Sequence, residues 1–172
     1  MEDIWNITAL VVSVLSVLLS LYALRQATTK NTSDMYLFFI SQYAKEDMKL
    51  ALRKLKDIKR GVYRLEQWES DMKNNLPKAF EYDEARRLVK YFYDTLAYMK
   101  LEKLIEARFV RLICLKKGAW LYLDTVEAME KFFDSGYDKK PYAVIRDVCE
   151  NLRKEGCCPV SYTHLRAHET KA

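Results

Sequence analysis

The chain has 172 residues, 50% of them hydrophobic and 31% charged, with a formal net charge of +5; this is the balance of one ordinary folded domain and excludes collagen-like, mucin-like and broadly disordered chains. Four glycines and three prolines stand against twelve tyrosines and seven phenylalanines. That is too few chain breakers for a β-sandwich turning roughly every ten residues, so the fold class is all-α. Interleaved acids and bases argue against a nucleic-acid binder. Four unevenly spaced cysteines, Cys114, Cys149, Cys157 and Cys158, fit a reducing compartment better than a disulfide framework.

No residue from Ile4 to Leu24 is charged. As a helix this run spans about 31 Å, the thickness of a bilayer hydrocarbon core at about 30 Å. Trp5 and Tyr22 stand near its ends, where amphipathic rings prefer the headgroup level. Glu2 and Asp3 precede it where a signal peptide would carry basic residues, and no small-residue cleavage pattern follows. Residues 4–24 therefore read as a retained, single transmembrane helix. Arg25, Lys30, Lys45 and Lys49 lie on its C-terminal side, which by the positive-inside rule puts the N-terminus outside and the bulk of the chain in the cytoplasm. Asn6, Ala9, Ser13, Ser16, Ser20 and Ala23 form a stripe of small and polar residues. Ala9, Ser13, Ser16 and Ser20 are thus candidate helix-packing residues, although chance alignment of residues common in membrane helices explains the stripe equally well.

Residues 25–33 read as a polar juxtamembrane linker and residues 34–158 as a helical domain. Ser33 and Asp34 offer an N-cap for a helix carrying Met35, Tyr36, Phe38, Phe39, Ile40 and Tyr43, which either continues the membrane helix or docks on the domain. A second helix starts near Glu46, with Met48, Leu52, Leu55, Ile58 and Val62 on one face and Gly61 as its stop. Asn74, Asn75 and Pro77 mark a loop. Asp83 can cap a long helix to Met99, its apolar face using Leu88, Phe92, Leu96 and Met99. Shorter helices follow over 104–115, 119–133 and 142–153, separated near Gly118 and by a turn over 135–141. Five or six helices of this size form an antiparallel bundle.

This order of elements, with LALRKLK at 50–56, LVKYFYDTLAYMKLEKLIEARFV at 88–110 and Trp120, resembles the bacterial family catalogued as domain of unknown function 4760 over nearly all of residues 5–155. The family motif is loose, an aromatic pair followed by an acid, which here reads Tyr91, Phe92, Tyr93, Asp94; aspartate in place of glutamate is a departure. The resemblance implies an anchored helical topology and no catalytic residue.

The end of the chain differs in character. Val160–Thr170, VSYTHLRAHET, matches a translated sequencing adapter at every position. Residues 159–172 therefore read as adapter-derived, and the protein as truncated beyond about Cys158. The tail holds both histidines, His164 and His168, whose spacing beside Cys157 and Cys158 imitates a Cys2His2 zinc site. Without them no base remains for a Ser-His-Asp or Cys-His arrangement, and no Gly-rich stretch could cradle phosphate. A Ser-Lys arrangement stays open. Glu127 and Glu130 lack the histidine that completes carboxylate metal sites and read as a solvated face. Asp94 reads as an ion-pair partner of Arg108 or Arg111 before it reads as a perturbed carboxylate, and Cys114 as a small buried apolar residue. No catalytic, cofactor-binding or metal residue is expected.

Between Lys45 and Arg64 eight basic residues face three acids, and Lys49, Arg53, Lys56 and Arg60 share one helix face. Close behind an anchor such a face is a candidate for contact with anionic lipid headgroups; a merely solvated face is the alternative. Taken together, these features lead to the expectation of a non-enzymatic, single-pass protein of the bacterial inner membrane. Its cytoplasmic bundle would bind another protein or a second copy of itself, and no nucleic acid. The alternative is a membrane-tethered enzyme or effector whose catalytic part lies beyond the truncation.

Overall fold

The computed structural model describes residues 2–133 and 137–157, with the side chains of residues 2–14, 24–25 and 27–32 outside the description. The adapter-like tail with its two histidines, Cys158, and the side chains of Ala9 and Ser13 therefore lie outside the described residues. The chain divides into two compact units, Met1–Phe38 and Phe39–Ala172. All described secondary structure is helical, and no strand occurs among the described residues.

Helix α1 runs Glu2–Ala44. The polar stretch Gln26–Thr32, expected as a linker, is helical, and Ser33 and Asp34 are interior to α1 instead of capping a new helix. No glycine or proline interrupts this stretch, and Gln, Ala and Lys are good helix formers. Among the described residues no helix is long and apolar enough to cross a membrane. Much of the uncharged run Ile4–Leu24 falls among the side chains outside the description, and its described part, residues 15–23, is exposed throughout.

The second unit begins at Phe39. Helix α2, Glu46–Lys59, carries Glu46 and Asp47 in its first turn and Lys56 and Lys59 in its last, charges placed to suit the helix dipole. It buries Met48, Ala51, Leu55 and Ile58 and ends at Gly61, whose φ of 73° is open to glycine and strained for other residues. Helix α3, Leu65–Lys73, is pinned by the buried Trp68, whose indole nitrogen donates to the Ala79 carbonyl at 3.2 Å. The long α4, Pro77–Leu101, opens with proline, whose missing N–H costs nothing in a first turn. Asp83, expected as its cap, lies one and a half turns inside it and is buried.

Helices α5, Ala107–Cys114, and α6, Lys117–Leu121, lead into a π turn, Tyr122–Val126, that passes directly into α7, Glu127–Phe133. Gly118, expected as a separator, stands inside α6. The last helix, α8, Lys139–Lys154, is capped by Asp138, whose carboxylate accepts from the Lys140 amide. Helix α4 is the centre of the unit, with α2, α3, α8 and the π turn packed against it. Its buried face uses Val89, Phe92, Tyr93 and Leu96; Leu88, expected inside, is 38% exposed.

Candidate functional site: the basic face of α2 and a buried ionic cluster

Lys49, Arg53, Lys56 and Arg60 all lie on the exposed side of α2 and the residue that follows it, opposite the face that buries Met48, Leu55 and Ile58. Lys49 pairs with Glu46 at 3.3 Å, an exposed pair one turn apart that contributes little. No ion pair among the described residues involves Arg53, Lys56 or Arg60. Lys54 and Lys59, the neighbours omitted from this set, are turned to other helices: Lys54 reaches Glu81 on α4 at 2.9 Å, and Lys59 pairs with Asp124 in the π turn. The basic segment is thus divided between cations tied down within the fold and cations left facing outward. Of the candidate helix-packing residues, Ser16 and Ser20 are exposed, and the Ser20 hydroxyl donates to the Ser16 carbonyl of its own helix at 2.8 Å.

The second constellation was not expected. Asp83, nearly inaccessible, accepts from Arg86 Nε at 2.8 Å and from Arg87 at 2.7 Å. Arg86 continues to Glu130 on α7, and its guanidinium lies over the Phe133 ring, 4.6 Å from the centroid. Lys90, one turn further along α4, bonds Asp94 at 2.5 Å and stands 3.9 Å from Glu130. Asp94 also accepts from the Tyr122 hydroxyl at 2.5 Å. Its partners are therefore Lys90 and Tyr122, and Arg108 and Arg111 pair instead with Glu106 and Glu155. Glu127 accepts from the Tyr137 hydroxyl and from Arg146 on α8. Glu127 and Glu130 are 9% and 7% exposed. This corrects the expectation of a solvated face: the E-x-x-E pair is inside because α4 and α8 supply cations to meet it.

The π turn explains why both glutamates and Tyr122 reach the same cluster. The Glu127 amide donates to the Tyr122 carbonyl, five residues back, which lays Glu127 over Tyr122, where an α-helix would lay Val126. A row of rings runs beside the charges. Phe39, Phe92, Tyr93, Tyr122, Tyr142 and Tyr137 follow one another with centroids 5.3, 5.0, 5.1, 4.4 and 5.4 Å apart. Tyr122 and Tyr142 are stacked with their planes 8° apart.

The electrostatics follow from this packing. Burial, and then the bond to Asp94, push the Tyr122 phenol far above its ordinary range; burial does the same for Tyr93 and Tyr142. Tyr137 is raised to about 12 by burial and by Glu127. The hydrogen bond from Tyr98 holds Asp138 below the usual carboxylate range. The Cys114 thiol, buried as expected, is pushed up by its contact with the Cys149 thiol and by burial. Both effects favour the neutral thiol over the thiolate.

In the cluster every buried carboxylate already faces a cation or a phenol. These contacts tie α4, α7 and α8 together. Among the described residues no set of three His, Cys, Asp or Glu side chains gathers as for a metal ion. Arg53, Lys56 and Arg60 make no ion pair among the described residues, and with Lys49 they form an exposed basic surface on α2. No protein-family model, no curated protein and no solved structure matches this chain.

Proposed function

We propose that the chain is a single-pass, membrane-anchored interaction module. Its helical unit lies on the cytoplasmic side of a bacterial inner membrane, with the outward face of α2 against anionic lipid headgroups. The observation that carries this reading is the division of charge in α2: Arg53, Lys56 and Arg60 are exposed and make no ion pair among the described residues, while Lys54 and Lys59 are used internally. The uncharged run Ile4–Leu24 and the cations that follow it supply the anchor and its orientation. The resemblance of the element order to domain of unknown function 4760 supports the same arrangement of anchor and bundle.

Each Lys or Arg held near an anionic surface contributes about 1 kcal/mol, so four amount to roughly 4 kcal/mol before screening. The attraction decays over about 8 Å at physiological salt, so it acts only if α2 lies close to the bilayer. A chain starting at Ser33, without the apolar run, is expected to bind vesicles containing phosphatidylserine, to leave them in high salt, and to lose binding when Lys49, Arg53, Lys56 and Arg60 are changed together to Gln. Indifference of the unsubstituted chain to such vesicles at low salt would remove the lipid contact from the proposal.

A further inference from the structure

Helix α2 closes in a Schellman motif: the Gly61 amide donates to the Ile58 carbonyl at 2.9 Å and the Val62 amide to the Asp57 carbonyl at 3.0 Å. In this motif the residue after the glycine usually lays an apolar side chain back on the helix, against the residue whose carbonyl it bonds or the one before. Here those are Asp57 and Lys56, so no apolar side chain waits for Val62 at the helix end. Val62, expected on the buried face of α2, is accordingly 74% exposed. The turn that presents it is firmly held. Tyr63 is buried, donates its hydroxyl to Asp71 at 2.7 Å, and packs on Tyr82 of α4 with ring centroids 4.6 Å apart. The surroundings of Val62 are basic. Arg60 and Arg64 are exposed and make no ion pair among the described residues, and Lys78 of α4 stands over the Tyr63 ring, 4.4 Å from its centroid. The exposed acid nearest in sequence is Glu66, so positive charge is in excess around the turn.

We infer that this turn is an insertion point in an anionic bilayer: Val62 enters the boundary between headgroups and acyl chains while Arg60 and Arg64 hold lipid phosphates on either side of it. Arginine suits the second task, since its stem can lie along apolar surface while the guanidinium stays among phosphates. Lipid is the occupant because an apolar tip flanked by unpaired cations matches the layering of a bilayer surface, anionic outside and apolar within. The tip also ends the exposed row Lys49, Arg53, Lys56 and Arg60, so the two surfaces are continuous. The inference deepens the lipid contact proposed above and rests on it. The face of α2 supplies attraction that acts at a distance; the turn supplies a fixed depth, and makes the C-terminal end of α2 the end that goes in.

The test uses the full chain, with Cys157→Ser and Cys158→Ser as background, in nanodiscs of phosphatidylcholine alone or of phosphatidylcholine with phosphatidylserine. Cys114 and Cys149 are buried and take no label. An environment-sensitive dye on Val62→Cys is expected, in the phosphatidylserine discs, to shift to the blue and to escape quenching by aqueous acrylamide. A nitroxide high on the acyl chain should quench it more than one on the headgroup. In phosphatidylcholine alone the dye should stay open to acrylamide. The same dye on Leu104→Cys, 55% exposed past the far end of α4 and roughly 30 Å along that helix from Tyr82, is expected to stay open in both discs, showing that the dye does not carry its site into lipid. Changing Arg60 and Arg64 together to Gln should lower the ratio of inserted to free turn roughly thirtyfold, read as the return of acrylamide quenching. A third dye, on Arg53→Cys, reports the α2 face itself. Every labelled or substituted position in the helical unit is exposed, so the variants fold. Protection at Arg53→Cys with none at Val62→Cys, or stronger quenching of Val62→Cys from the headgroup than from the acyl chain, would overturn the insertion and leave the lipid contact standing. Protection at neither site, or a chain that enters no disc, would remove both. Equal protection at Leu104→Cys, or insertion undiminished without the two arginines, would also overturn the inference.

Discussion

A methyl group at Gly118 would stand 2.7 Å from the Tyr93 hydroxyl and 3.1 Å from both Leu52 Cδ2 and Tyr43 Cε2. Tyr43 and Tyr93 hold this spot from two sides, and the Gly118 amide donates to the Tyr43 hydroxyl at 3.2 Å. The space belongs to a hydrogen atom. Gly118→Ala is therefore expected to destabilise the fold by about 1–3 kcal/mol, the usual cost of overpacking, read as a lower denaturant midpoint at unchanged slope. The Tyr93 hydroxyl is buried with no hydrogen-bond partner among the described residues, so Tyr93→Phe should cost little by itself and should recover part of the Gly118→Ala loss. Additive losses in the double variant would mean that Leu52 and Tyr43, not the phenol, set the limit. Gly118 reads from the sequence only as a breaker between helices, because spacing reports backbone freedom and is blind to the three side chains that converge on the position.

Between elements, the arginine at 86 does what no single helix could. It joins Asp83 on its own helix to Glu130 on α7 while lying on Phe133. Arg86→Met leaves two buried carboxylates short of a cation and is expected to cost about 3–5 kcal/mol. Adding Glu130→Met should return part of that, because one of the two buried carboxylates goes with the cation while Asp83 keeps Arg87; urea unfolding of the single and double variants measures the difference. An equally unstable double variant would place the loss in packing. Helices α2, α4 and α8 are legible in the sequence because each repeats apolar residues at helical spacing, as with Met48, Leu55 and Ile58. Helix α3 is not: it is short, and it is held by one tryptophan whose partners come from elsewhere. The ionic cluster is equally hidden. The sequence marks Glu127 and Glu130 as a solvated face and Asp83 as a helix cap, and only the folded chain reveals that Arg86 of α4 and Arg146 of α8 arrive to meet the two glutamates.

At the scale of the whole molecule, the row of buried phenols sets a limit on the alkaline side. Tyr93, Tyr122 and Tyr142 have folded-state pKa values raised above the ordinary value of 10, chiefly by burial. The fold prefers their neutral forms, so their contribution is complete below about pH 10, where unfolded tyrosines are also neutral, and declines as pH rises above it. For Tyr93 and Tyr122 the slope approaches about 1.4 kcal/mol per pH unit each. In an alkaline titration the part of the tyrosinate absorbance that belongs to the buried phenols should rise only as helix content falls, after the exposed tyrosines such as Tyr91 have ionised. Ionisation of every tyrosine near pH 10 with the helices intact would show that the row admits water. Of the large-scale organisation, the all-helical class and most helix positions follow from composition and period. The convergence of rings from α1, α4, the π turn and α8 does not, since each ring looks locally like an ordinary core residue.

The π turn has a further consequence for recognising this chain's relatives. Tyr122 and Glu127 share a face because the backbone accommodates five residues between hydrogen-bonded partners. An uninterrupted α-helix presents the same two side chains when they stand four apart. A relative with one residue fewer here would keep the phenol, the carboxylate and their cations, and would differ by a one-residue gap in the middle of a helix, where alignment scoring penalises gaps most. A pattern written with a fixed tyrosine-to-glutamate interval would then separate proteins that share the same interior. Allowing both intervals while requiring the α4 series Asp83, Arg86, Lys90 and Asp94 would keep them together.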